Sequence, residues 1–100
     1  MRQGTTPTHT FRLPCSVTEV KAARVTYAQD DKKVLEKTLD NCAKSGSTLS
    51  VTLTQEETLS FKCNASAQVQ VHILTTEGKS LVSNIHTFFV CECLTKEVLS

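Results

Sequence analysis

Cysteine and histidine are the residue types that build structural zinc sites in proteins. The 100 residues include five cysteines and three histidines, and the spacing of Cys91 and Cys93 would place both thiols on one face of a strand. A structural zinc site needs four thiolates or imidazoles around one ion, usually with Cys-x-x-Cys spacing, which this chain lacks. A zinc-dependent module that uses Cys63, Cys91 and Cys93 with one histidine is one hypothesis for this chain. We expect free thiols and no cofactor.

The motifs of common catalytic sites are also missing from the sequence. There is no glycine-rich phosphate loop, no Gly-x-Ser-x-Gly turn and no His-Glu-x-x-His pair. His9, His72 and His86 would act as general bases only beside a nucleophile and an orienting carboxylate, and their places in strand-like segments favour structural or surface roles. We therefore predict that the protein is not an enzyme and has no catalytic, cofactor-binding or metal-binding residues.

The cysteines also bear on the cellular compartment. Because their number is odd, disulfides cannot pair all of them. The segment Met1–Pro7 has no apolar stretch typical of a secretory signal, so we expect the chain to stay in a reducing cytoplasm with its thiols free. In that setting the sequon that begins at Asn64 is predicted to be a turn rather than a glycosylation site.

Charge and composition restrict the partners and the fold class. A net charge of +1 without a basic stripe argues against nucleic acid or an anionic membrane as the main partner. No apolar run approaches the roughly 18 residues of a spanning helix. The chain has 15 threonines and 10 valines but only 3 glycines and 2 prolines, a balance that favours strands. Its length fits one domain.

Alternation of apolar and polar residues predicts the strands. These cover residues 8–13, 20–29, 33–39, 48–54, 67–75, 80–82 and 85–93. Apolar residues on both faces of the last segment predict a central or covered strand. Thr54 followed by Glu57 predicts a capping box that opens one helical turn. We expect a core of Val, Leu and Ile with the four phenylalanines Phe11, Phe61, Phe88 and Phe89.

Together these elements predict an all-β fold. Its architecture is an antiparallel immunoglobulin-like β-sandwich of about seven strands with one short helical turn. Residues 9–100 form the single domain, and residues 1–8 form a flexible or partner-bound amino-terminal arm. The disulfide and the tryptophan of true immunoglobulin domains are missing, so the prediction concerns architecture alone.

Four segments carry a resemblance to a known family. They are Arg2–Phe11, Val25–Gln29, Leu53–Leu59 and Val69–Val71. In these segments, and over nearly its whole length, the chain resembles small phage and prophage proteins of about this size. The resemblance implies a β-sandwich protein of tailed phages and prophages of Gram-positive gut bacteria, of tail or baseplate type. It implies no catalytic or ligand-binding residues.

Two functions are compatible with these observations. The first is a non-enzymatic structural or interaction module of the virion, made in the host cytoplasm and associated with the tail or baseplate. Its partners would be other virion proteins or further copies of itself in a homo-oligomer. The alternative is a cytoplasmic, phage-encoded adaptor or inhibitor that binds a host protein.

Overall fold

Eight strands form two facing sheets over residues 1–99, the part of the chain that this computed structural model describes. The strands are β1 Thr8–Arg12, β2 Val20–Gln29, β3 Lys32–Thr38, β4 Ala43–Ser45, β5 Thr48–Thr52, β6 Ala65–Thr75, β7 Ser80–Val82 and β8 His86–Val90. One short helix, α1, spans Gln55–Leu59, and two 3-10 turns span Val17–Glu19 and Leu39–Asn41. All strand pairs between these elements are antiparallel.

The order of the strands identifies the architecture. One sheet has the order β1-β5-β4, and the other has the order β3-β2-β6, with β7 and β8 both paired to the outer side of β6. In immunoglobulin sandwiches of the variable type, strands A-B-E-D form one sheet and strand C′ joins the G-F-C sheet. In chain order, β1 to β6 then correspond to B, C, C′, D, E and F, and β7 with β8 to G. The predicted immunoglobulin-like sandwich is confirmed.

The core lies between the sheets and follows the predicted alternation. The fully buried residues include Val25 and Tyr27 of β2 and Leu49 and Val51 of β5. Tyr27 packs edge-on against Phe61, with ring centroids 5.9 Å apart. Neither β1 nor β6 contains a cysteine, so aromatic and aliphatic packing stabilises the centre where immunoglobulin domains have a disulfide.

The capping box at α1 is confirmed. The Thr54 hydroxyl accepts a hydrogen bond from the Glu57 amide at 3.1 Å, and the Glu57 carboxylate accepts one from the Thr54 amide at 2.8 Å. These bonds satisfy amide groups that a helix start leaves unpaired. Within residues 1–99, no helix has the length and apolar character needed to cross a membrane.

The first residues of the segment expected to form an arm lie against the domain itself. Met1–Gln3 runs parallel to the end of β8: the Cys91 amide donates to the Met1 carbonyl at 2.7 Å, and the Gln3 amide donates to the Cys91 carbonyl at 3.0 Å. Gln3 is buried, and its side-chain amide donates to the Phe61 carbonyl at 2.6 Å. The two sheets leave an opening between their edge strands β1 and β8. Met1–Gln3 therefore covers one end of that opening.

Three expectations about strands and core need correction. The prediction that residues 85–93 form a central or covered strand is wrong, because β8 covers only His86–Val90, lies at the edge of its sheet and leaves its outer face open to solvent. Phe89 is 52% exposed rather than part of the core. The strand β4 was not predicted, because its three residues are all exposed and show no apolar alternation.

Candidate functional site

The cysteines and histidines do not form a reactive centre in the structure. All five cysteines are free. The thiol of Cys63 lies 3.7 Å from a carboxylate oxygen of Glu92, and Cys93 lies beside Gly4. Over residues 1–99, no group of three or more potential metal ligands converges. The hypothetical set of Cys63, Cys91, Cys93 and a histidine is therefore not brought together.

The histidines have different environments. His72 and His86 are exposed, whereas His9 is half-buried between the sheets. The Nδ1 atom of His9 lies 2.7 Å from the Tyr27 hydroxyl, and the His9 ring lies 5.7 Å from that of Phe88. Burial, assisted by the positive amino terminus, lowers the pKa of His9. Because burial also raises the pKa of Tyr27, both groups are held neutral and serve packing.

One ion pair joins β3 to α1. The Lys37 ammonium of β3 lies 2.5 Å from the Glu57 carboxylate of α1, and both side chains are largely shielded from solvent. Partial burial opposes ionisation of Glu57, but hydrogen bonds from Lys37 and Thr54 outweigh it and hold the pKa of Glu57 below its ordinary value. Glu57 therefore stabilises the contact between α1 and β3.

An apolar cleft lies on the side of the sandwich between β1 and β7, and we call it the β1–β7 cleft. Its volume is about 380 Å³. It is lined by apolar side chains of both sheets, including Phe11, Leu13, Val71, Ile73, Leu81 and Val82. Leu81 is 38% exposed and Val82 is 55% exposed, so the lips of the cleft present apolar surface to solvent.

The strand that forms one lip has a free hydrogen-bonding edge. The Leu53 amide donates to the Pro7 carbonyl, and the Leu13 amide donates to the Ser47 carbonyl. In an antiparallel pair the bonded residues alternate, so Pro7, Phe11 and Leu13 direct their backbone groups toward β5. The backbone groups of the intervening residues Thr8, Thr10 and Arg12 therefore point away from β5. No strand among residues 1–99 pairs with that side of β1.

The cleft has one positively charged side chain. Arg12 lines it, and the Arg12 side chain is exposed at the lip. Of the residues in 1–99 that line the cleft, none has a carboxylate. No ion pair of Arg12 is found within that part of the chain.

A second exposed feature adjoins the cleft. Val82, Ile85 and Phe89 are 55%, 60% and 52% exposed along β7, β8 and the residues that join them, and we call them the apolar edge. The strand β7 ends at this point: the Ser83 amide still donates to the Val71 carbonyl, but the Val71 amide donates to the Ser83 hydroxyl instead of to a backbone carbonyl. Exposed apolar side chains grouped in this way are typical of contact surfaces.

The sequence alone predicts these two surfaces only in part. It places Ile85 and Phe89 on one face of the predicted last strand, but it does not show that this strand lies at the edge of its sheet. The β1–β7 cleft depends on two segments that are distant in the chain, and no local pattern shows that Phe11 and Leu81 face one cavity.

Similarity to known proteins is found among solved structures, not among protein families or curated proteins. No protein family matches the chain, and no curated protein matches it. Among solved structures, the chain is similar to the V domain of amphioxus IgVJ-C2. The identity is 12%, the match covers 90% of this chain and 96% of that one, and the TM-score is 0.37.

Proposed function

We propose that the chain is a non-enzymatic interaction module that binds other proteins through the apolar edge and the adjoining β1–β7 cleft. The observation that carries the proposal is the exposure of Val82, Ile85 and Phe89 beside an open apolar cleft. A small domain gains stability by burying such side chains, so their grouping at one edge favours a contact that covers them.

The finer proposal places the module in the tail or baseplate of a phage particle. It is supported by the resemblance of Arg2–Phe11 and the other matching segments to small phage and prophage proteins. A sandwich with free strand edges suits assembly, since such edges add strands from neighbouring subunits. The partners would then be other virion proteins or further copies of the chain.

Quantitative mass spectrometry of purified particles tests this placement. Particles would be collected from an induced culture that encodes the chain and purified on a density gradient. We expect the chain at a fixed ratio to the tail proteins, and the ratio should persist through a second gradient. Absence from the particles would contradict the virion role, and recovery with a host enzyme at fixed stoichiometry would instead support the adaptor.

A further inference from the structure

We propose that the β1–β7 cleft binds an extended strand of a partner protein, which pairs with the free edge of β1 and presents a carboxylate to Arg12. This inference rests on the proposed interaction function and names the kind of partner. In sandwiches of this architecture a strand A lies beside strand B, and β1 occupies the position of B. Within residues 1–99 the place of strand A beside β1 is empty.

The free edge of β1 supplies the backbone part of the site. The amide and carbonyl groups of Thr8, Thr10 and Arg12 point away from β5, as the alternation of bonds with Leu53 and Ser47 requires. An added strand would pair with these groups. Main-chain hydrogen bonds of this kind supply affinity in strand addition, and alternate side chains supply specificity.

The chain itself shows that this side of the sandwich accepts extended backbone. Met1–Gln3 pairs with Cys91 at one end of the opening, and Gln3 becomes buried there. The cleft is the part of the same opening that this segment leaves uncovered. A partner strand at β1 would complete the closure that Met1–Gln3 begins.

The cleft has the shape and polarity for alternate apolar side chains. Phe11 and Leu13 point inward from β1, so inward residues of an added strand would lie beside them and contact Leu81 from the facing sheet. A volume of about 380 Å³ falls within the roughly 300–1,000 Å³ of typical ligand sites. Because successive side chains of a strand point to opposite faces, only every second residue of the added strand would enter the cleft. The strand should therefore alternate apolar residues with polar ones.

Charge selects among such strands. Arg12 is exposed at the lip, and no carboxylate lines the cleft within residues 1–99. Opposite charges on directly paired residues of neighbouring strands attract, and like charges repel. The partner strand should therefore carry Asp or Glu across from Arg12.

Selection from a ribosome-displayed library of random 12-residue peptides tests the inference with the full chain as target. We expect enriched peptides that alternate apolar and polar residues and contain a carboxylate. The variant Arg12→Glu should weaken their binding about tenfold, while the matched control Lys21→Glu, an exposed charge reversal outside the cleft, should change it less than twofold. No enrichment, or binding that is insensitive to Arg12→Glu, would overturn the inference.

Amide hydrogen exchange then locates the best of these peptides on the protein. Bound peptide should slow exchange at Thr8, Thr10 and Arg12 by roughly tenfold or more, since only paired amides gain protection. Protection confined to β3 or β4, the strands at the far edges of the two sheets, would overturn the inference. A peptide-free chain that dimerises and protects the same three amides would also overturn it, because a second copy would then be the occupant.

Variants of the two surfaces separate this inference from the proposed function. If Arg12→Glu stays with purified particles while the double substitution Ile85→Ser with Phe89→Ser is lost from them, and the selected peptides bind without regard to Arg12, strand addition at β1 fails and the interaction module stands. If the wild-type chain is itself absent from particles, the virion placement fails, and the peptide selection still decides strand addition at the cleft.

Discussion

The Nδ1 atom of His9 lies 2.7 Å from the hydroxyl of Tyr27, and this hydrogen bond joins the two sheets. His9 belongs to β1 and Tyr27 to β2. The pKa of His9 is lowered and that of Tyr27 is raised, both mainly by burial. A neutral imidazole can therefore accept the bond, whereas a protonated ring would place a charge between the sheets.

Stability should fall as the medium becomes mildly acidic. Because the pKa of His9 is lower in the fold than in the unfolded chain, the unfolded chain binds more protons as pH drops below about 6.5. The contribution of His9 is therefore complete above that pH and is lost as pH falls toward its lowered pKa. Urea unfolding at pH 7.5 and pH 5.5 should show this loss.

The variant His9→Gln provides the comparison. It removes the titrating group, so the difference in unfolding free energy between the two pH values should shrink. The matched control His72→Gln, on an exposed position of β6, should keep the difference. An unchanged pH dependence in His9→Gln would show that other groups cause it.

Thr58 should anchor the amino-terminal segment. Its buried hydroxyl accepts from the Gly4 amide at 2.9 Å and lies 2.9 Å from the Thr5 carbonyl, to which it donates. Thr58→Val keeps the shape and removes both bonds, together with the contact of the same hydroxyl with the Gln55 carbonyl at 3.1 Å. We expect a loss of about 1–3 kcal/mol of unfolding free energy and faster exchange of the Gly4 amide. Unchanged exchange at Gly4 would contradict the anchor.

The cysteines should differ in reactivity. Cys42 is buried, and burial raises the pKa of its thiol despite the nearby lysines. Cys63, by comparison, is only partly buried. Timed alkylation with iodoacetamide, followed by mass spectrometry, should modify Cys42 much later than Cys63. Equal rates in the native protein, with denatured protein as the control, would show that Cys42 is accessible.

Much of the fold could be predicted from local patterns. The bounds of β2 and β7 match the predicted strands, and the Thr54 capping box is present as expected. These features depend on alternation and on residues three positions apart. The position of β8 could not be read in this way, because an apolar residue such as Phe89 looks the same whether another strand or solvent covers it.

The candidate site was less accessible to sequence reasoning. Arg12 gains its significance from the free edge of β1 and from the cleft that Leu81 completes 69 positions later in the chain. Such a pairing is set by the packing of the two sheets. The cysteine and histidine spacings, which first suggested chemistry, proved to be distributed over separate parts of the domain.

Association of apolar-edge variants with purified particles tests the central claim most directly. The double substitution Ile85→Ser with Phe89→Ser changes exposed side chains, so the free energy of unfolding should stay within about 1 kcal/mol of wild type, or about 0.5 kcal/mol for each substitution. We expect the amount of chain that co-sediments with particles to fall at least tenfold. The control Thr26→Ser, on the outer face of β2, should not reduce it. Full co-sedimentation of the stable double variant would contradict binding through this edge.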